Sequence, residues 1–560
     1  MLTALWTESN SKASGITVYA QEFVEKMSVK PMFQDGCTRG SYIITADMEQ
    51  FIPKHVIATA TGTEAQTQKL TPPTSTARFL RPQPVTPREE IIDGTKVPKL
   101  CIQTRPLTGP DDVSWNDTSE DCLSLNVWTP VQPGKTMVNS RTVLFVLHGR
   151  DFKWSREYDA VALSALGDLL VVVPNYRLHL LGFLSNGTDL APGNLALHDQ
   201  IQCPTVTYTS LKLQALRWTV DNAEQFGGNR SSIVILGHGS GAVSLGLHLL
   251  SPIGEQDLRP VNRLAFMSGS PLQPLAPNSE VAVVAASFGC NRSRLEGDAE
   301  WQWACLLKQP ASEFVRARVY ASLATGPSFD SDYLPQRWPQ ISERVLRKQL
   351  ALKMQLLSND ERNLTALIMD EMESVGLSSA FDISGRVYTN GTSCTDLRCT
   401  VDFKEMYGDV MTKCPVLYFS EYLSSLGHSV YSYLLNYKSI PLPVEEAGHA
   451  VIFKDDLALL FGEPLLDISS TPFYEQDISR KLIHIFSGFA KTGNLPHASS
   501  AEWPRFSRSH NYHVWIDHKG AELISDTRKL VCERLRSAIL PPGFPNLPDR
   551  VRPVKIDRYF

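Results

Sequence analysis

Apolar positions between residues 120 and 250 fall into short blocks separated by turn residues. Val143–Leu147 and Leu169–Val173 are unbroken apolar runs, long enough for a strand and too short for a membrane span of ~18 residues or more. Unbroken runs of this kind read as strands buried on both faces. Cys122–Pro130 instead alternates and stops at a proline, as a strand does. Ala215–Phe226 has helical spacing and ends at Gly227-Gly228. Ser232–Leu236 predicts a strand, then a tight glycine turn, then the apolar helix Ala242–Leu250. Strands alternating with helices predict an α/β chain with a large, mostly parallel central sheet flanked by helices. Residues 1–70 show no clear period and are expected to be irregular. Residues from about 280 to 410 are more polar and more helical in pattern, an elaboration around the sheet. The proline-rich 541–560 segment is expected to be an exposed tail. The domain reading is therefore one α/β unit over 71–540, with 1–70 and 541–560 outside it.

Composition narrows the function classes. The chain has 560 residues, 42% hydrophobic and 20% charged, which is ordinary for a globular protein. A net charge of -5 gives no basic footprint for nucleic acid. Ten cysteines form no C-x-x-C zinc pattern, and no cofactor motif stands out. Six N-x-[ST] sequons occur, at Asn116, Asn186, Asn229, Asn291, Asn363 and Asn390. The first eight residues lack the charged and apolar regions of a signal peptide.

The chemistry should lie at Gly237-His238-Gly239-Ser240-Gly241, between the strand and the apolar helix. Small residues there flank a position that takes a strained backbone and lifts one side chain above the sheet. A hydrolase needs Ser, Cys or Asp at that point, and the residue is Gly239.

With its neighbours, this segment resembles the carboxylesterase type B, or cholinesterase-like, family of α/β hydrolases. The resemblance runs from about Pro72 to Cys532. It is carried by Pro72-Pro73, Arg78-Phe79, Ser119–Trp128, Asn175-Tyr176-Arg177, Gly182-Phe183-Leu184, Ala191–Asn194, Phe226-Gly227-Gly228, Ser251-Pro252, Phe461-Gly462 and Phe489–Gly493. It implies the α/β-hydrolase fold and acyl transfer by a nucleophile, a base, an orienting acid and an oxyanion hole.

Carried over position by position, the resemblance implies that this machinery is broken. Gly239 stands at the nucleophile position. Ser240 is one residue off the elbow, where the family uses a backbone N–H, so it is not expected to attack. Glu361, in Asn359-Asp360-Glu361, stands at the acid position; by itself it also reads as an exposed surface glutamate. The base position, eight residues before Phe461, is Phe453. His449, four residues upstream of it, reads as an ordinary loop histidine. The oxyanion-hole positions are Gly149, Arg150 and Ser240, and the glycine run continues as Asp151. A carboxylate there has the wrong sign for a developing oxyanion.

The resemblance further implies disulfides Cys101–Cys122, Cys290–Cys305 and Cys414–Cys532, and with them an oxidising, extracellular compartment. Cys394 and Cys399 are close enough in sequence to pair locally, which leaves Cys37 and Cys203 over. The family segment before Pro72 is not recognisable, so the start is expected to be incomplete or misassigned. Fourteen residues separate Asp199-Gln200 from Ala215-Leu216-Arg217-Trp218 where the family has two, a surface insertion or a gene-model error. Trp115 resembles the gorge aromatic that holds cationic ligands in cholinesterases, with ordinary packing as its other reading. Arg78 and Glu120 resemble a family ion pair that pins the loop holding Trp115. The function expected is a non-enzymatic secreted binding or adhesion module, like the family's neuroligin, neurotactin, glutactin and gliotactin members. The alternatives are an ester hydrolase with unusual site residues, sequestration of a small ligand, and a decayed gene product. Expected partners are a protein, a second copy of the chain included, or a small hydrophobic or cationic ligand, with no nucleic acid and no membrane span.

Overall fold

In the computed structural model, the described residues are 44–46, 54–61, 78–81, 98–103, 117–131, 140–149, 158–188, 191–201, 215–251, 281–290, 298–315, 408–425, 427–435, 455–469, 471–495, 503–517, 520–525 and 529–540, with shorter pieces around 152–155, 258–273, 326–328 and 333–334. The insertion at 202–214, the tail at 541–560, and Cys37, Cys203, Cys394 and Cys399 lie outside them.

Seven strands form one mixed sheet: β1 Ile44–Ala46, β2 Lys54–Thr61, β3 Ser124–Val131, β4 Arg141–Leu147, β5 Leu170–Pro174, β6 Gly228–His238 and β7 Val261–Met267. Their order is β1-β2-β3-β5-β4-β6-β7. β1, β2, β3 and β5 pair antiparallel, and β5, β4, β6 and β7 pair parallel. The expectation of an irregular segment over 1–70 is corrected for 44–46 and 54–61; the rest of that segment lies outside the described residues. Residues 54–61 pair along their whole length with β3, and 44–46 pair with 54–61. Lys54–Thr61 contains the β-favouring pair Val56-Ile57, but its partner strand begins at Ser124.

The apolar runs work because successive side chains of a strand point to opposite faces. Leu144, Val146, Val171, Val173, Val234 and Leu236 face one core, packed with Leu163, Phe461, Ile478, Leu482 and Phe486. Val143, Phe145, Leu147, Leu170, Val172, Ile233 and Ile235 face the other, with Trp218, Phe226, Leu245 and Leu258. The helix Phe473–Thr492 supplies Ile478, Leu482, Ile483 and Phe486 at helical spacing to the first core, and stops at Gly493 in a left-handed conformation.

Helix Ser240–Leu250 crosses the sheet almost in backbone contact. A Cβ on Gly241 would lie 1.9 Å from the carbonyl oxygen of Leu147 and 2.9 Å from that of His148. Helix propensity alone would favour alanine by about 1 kcal/mol. The clash is with strand backbone that cannot move aside, so it outweighs propensity. Gly241→Ala is expected to lower stability by at least ~1–3 kcal/mol, the cost of an overpacked site. A denaturant midpoint equal to that of the parent would show that the helix can shift off the sheet.

Three disulfides, Cys101–Cys122, Cys290–Cys305 and Cys414–Cys532, close as the family resemblance implies. Among the described residues, no helix is long and apolar enough to cross a membrane.

Candidate active site at the strand-to-helix elbow

β6 delivers His238 to the top of the sheet, and the chain turns at Gly239 with φ 56 and ψ −121. That region is costly for a side chain and is held only by its surroundings. Here the Gly239 N–H donates to the Met267 carbonyl at 2.9 Å, and the Gly239 carbonyl accepts from Ala242 and Val243. Gly269 packs against that carbonyl, and a Cβ on Gly269 would come within 2.4 Å of it. The elbow is therefore built, but Gly239 puts no side chain on it.

Ser240 is buried and turns away from the elbow tip, towards the glycine loop after β4. Its Oγ accepts the Phe152 N–H at 3.0 Å. A Cβ on Gly149 would fall 2.3 Å from that Oγ and 2.7 Å from the Tyr176 hydroxyl, so only glycine fits between them. The Tyr176 hydroxyl donates to the His148 carbonyl and is held in the same knot. Phe152 reaches it with φ 60, and its ring meets Phe183 edge-on at 4.9 Å. The loop that would form an oxyanion hole is thus tied to the elbow helix through the Ser240 hydroxyl.

His148 lies beneath this knot. Its ring stacks on Tyr176 at 5.0 Å and leans on Tyr158 at 5.2 Å. Nε2 lies 3.1 Å from the Pro174 carbonyl. Burial pulls its pKa down to about 4, partly offset by the Pro174 carbonyl and reinforced by the nearby His238.

The main polar contact at the elbow links His238 to Asp456. Nε2 of His238 lies 3.0 Å from Asp456 Oδ1. An ionised carboxylate only accepts, so Nε2 carries the proton. The same carboxylate accepts from the Ser268 hydroxyl at 2.6 Å and from the Leu457 N–H at 2.9 Å. Serine, aspartate and histidine are all present, but in an order that does not catalyse. The carboxylate stands in the middle, between the imidazole and the serine hydroxyl, where a catalytic triad has the imidazole. Sequence reasoning passed over both partners. Their signals were an ionisable residue in the second position of the elbow and an acid three residues after Phe453.

Of the predicted site residues, the structure brings together Gly149, Gly239 and Ser240 around one turn. Arg150, Asp151, Trp115, Glu361, Phe453 and His449 lie outside the described residues. Arg78 and Glu120 form a two-point ion pair, and Arg78 also donates to the carbonyl of Gln309 at 2.7 Å. The buried Arg177 holds Asp199 in the same two-point way, at 2.8 and 2.7 Å. Among the described residues no group of histidines, cysteines and acids is arranged to hold a metal ion.

The model of the Carboxylesterase family matches residues 71–384 and 384–534. The chain belongs to the carboxylesterase family. Its mixed sheet, elbow and crossing helix are the α/β-hydrolase fold of that family. Cholinesterase of Mus musculus is 27% identical over 513 residues, covering 82% of this chain and 80% of the relative. Acetylcholinesterase-1 of Trittame loki is 24% identical over 526 residues, covering 82% and 88%. Acetylcholinesterase of Bungarus fasciatus is 27% identical over 512 residues, covering 82% and 80%.

Proposed function

We propose that this carboxylesterase-family chain is a non-enzymatic extracellular binding module. The observation that carries the reading is an intact elbow with glycine at its tip. The hydroxyl of the next residue, Ser240, accepts the Phe152 N–H. The relatives' names speak for choline-ester hydrolysis, which requires a nucleophile at the point where this chain has none. Losing that group costs on the order of 10⁶ in kcat, about 8 kcal/mol. Phe453 at the base position and Arg150-Asp151 in the glycine run point the same way. The three disulfides support an oxidising compartment. A protein is the partner class favoured, since adhesion needs the large surface of this fold and not its chemistry.

The test is hydrolysis of a short-chain aryl ester by the purified full chain, together with labelling by an organophosphate. Turnover is expected at the background rate, with no phosphorylated serine between 237 and 241. Turnover with a phosphoryl group on Ser240 would overturn the reading, because that hydroxyl would then have left Phe152 to act as nucleophile.

A further inference from the structure

We infer that Asn186 carries an N-linked oligosaccharide, a modification that rests on the extracellular reading above. Asn186-Gly187-Thr188 is one of two sequons among the described residues, the other being Asn229-Arg230-Ser231. Asn186 lies on a two-stranded hairpin, where Ser185–Thr188 pairs antiparallel with Ala191-Pro192. Within it the sequon forms a closed turn. Oδ1 of Asn186 accepts both the Thr188 N–H at 3.0 Å and the Thr188 hydroxyl at 2.7 Å. Both contacts fall on the oxygen and point the amide nitrogen, the atom to be modified, away from the turn.

The surroundings are open. Gly187 has φ 74, and a Cβ built on it would meet nothing within 4 Å. Gly187 and Thr188 are exposed, and Asn186 is part-exposed. A bulky, strongly hydrated group can therefore leave this tip without displacing protein.

Asn229 makes the contrast. It has the backbone half of the same turn, with Ser231 N–H to Oδ1 at 2.9 Å. It is part-exposed like Asn186, with Arg230 and Ser231 exposed, but its backbone is fixed in the central sheet by pairing with Thr142. The observations therefore favour Asn186.

The step is a transfer from a polyprenyl-pyrophosphate-linked oligosaccharide, the usual donor class for such sequons. The Asn186 Nδ2–C1 bond forms, the C1–oxygen bond to pyrophosphate breaks, Nδ2 loses one proton, and the lipid pyrophosphate leaves.

The full chain, secreted from a eukaryotic host behind a cleavable leader, is digested with peptide N-glycosidase in ¹⁸O water and mapped by mass spectrometry without reduction. Residue 186 is expected to read as ¹⁸O-labelled aspartate. Thr188→Ala should abolish the label and Thr188→Ser should keep it, both with the fold intact, because Thr188 is exposed. Unmodified Asn186 in protein carrying the Cys101–Cys122 bridge would overturn the site and leave the extracellular reading standing. Unmodified Asn186 with free thiols at those cysteines would overturn both.

Discussion

Lowering the pH from 7 to 5 is expected to remove about 4 kcal/mol of the stabilisation contributed by two buried histidines, His148 and His248, with His198 acting in the same direction. His248 is fully buried, and burial holds its pKa down at about 3. His148 is held at about 4. His198 is pushed well below its ordinary value, first by burial and then by the charges of Arg81, Arg177 and His248. Geometry explains the case of His248. Nε2 lies 2.9 Å from Gln200 Oε1, and so carries the proton; Nδ1 then accepts from the Tyr333 hydroxyl at 2.5 Å. The neutral ring uses both nitrogens, and a second proton would displace the tyrosine donor. The sign follows from where protons bind first. Each of these folded pKa values lies below the unfolded value near 6.5. The unfolded chain therefore takes up protons as soon as the pH falls through 6.5. The stabilisation is complete above that point and is lost at ~1.4 kcal/mol per pH unit for each group, down to its folded pKa. By pH 5 that is ~2 kcal/mol each for His148 and His248, and His198 adds in the same direction. Asp159 and Glu421 are pushed up by burial and act in the opposite sense, so total stability alone does not isolate the histidines. The measurement is the urea unfolding free energy of parent and His248→Gln at pH 7 and pH 5. The variant is expected to start less stable and to lose about 2 kcal/mol less on acidification. Equal losses in the two proteins would show that His248 does not stay neutral in the folded state.

The parts of this molecule that were legible in its sequence are those whose cause is local. Val143–Leu147 is apolar throughout because both sheet faces are covered, and the strand observed, Arg141–Leu147, contains that run. Gly227 ends the helical pattern of 215–226 because it takes a left-handed conformation with φ 76, although the last turn tightens to a 3-10 helix from Ala223. β6 begins at Gly228, four residues before the expected start at Ser232, since Asn229 pairs with Thr142 before an irregularity in register. Polar residues at a strand's ragged start give no period to read. Lys54–Thr61 was missed for a related reason: its ladder partner is remote, and the residues on either side of it are featureless in pattern. The site divides in the same way. Gly239 stood out because an elbow needs a side chain where this chain has glycine, and Gly149 was placed by the family resemblance; the crowding by Ser240 and Tyr176 that excludes a Cβ there shows only in the fold. The His238–Asp456 contact joins residues 218 positions apart, and the Ser240–Phe152 contact joins residues 88 apart. Neither leaves a spacing signature, and only the folded chain shows that the elbow is braced by a histidine–carboxylate pair.

Restoring hydrolysis is expected to need two substitutions, and even then to fall short of a normal esterase. Gly239→Ser puts an Oγ on the elbow tip. The backbone there already holds φ 56, so the strain of a side chain, ~1–3 kcal/mol, is borne by contacts that exist. The new hydroxyl has no base. His238 is adjacent in sequence, but its Nε2 proton is directed at Asp456. Phe453 cannot accept a proton. An unactivated serine is a weak nucleophile at neutral pH, so the single variant should hydrolyse an aryl ester no faster than the parent. On the family resemblance, adding Phe453→His supplies an imidazole at the base position, with Glu361 at the position that would orient it. The double variant should exceed the single one, since a positioned general base contributes ~10²–10⁴. It should still stay below a normal esterase by about 10²–10³ in kcat, the cost of a missing oxyanion donor, if Arg150-Asp151 stands, as the resemblance implies, where the family has two glycines. The comparison is kcat for parent, single and double variants on one ester at one pH. Robust turnover by Gly239→Ser alone would mean that an existing group serves as base. The placement of Phe453 at the base position would then fail, and the inactive reading of this site would rest on Gly239 alone.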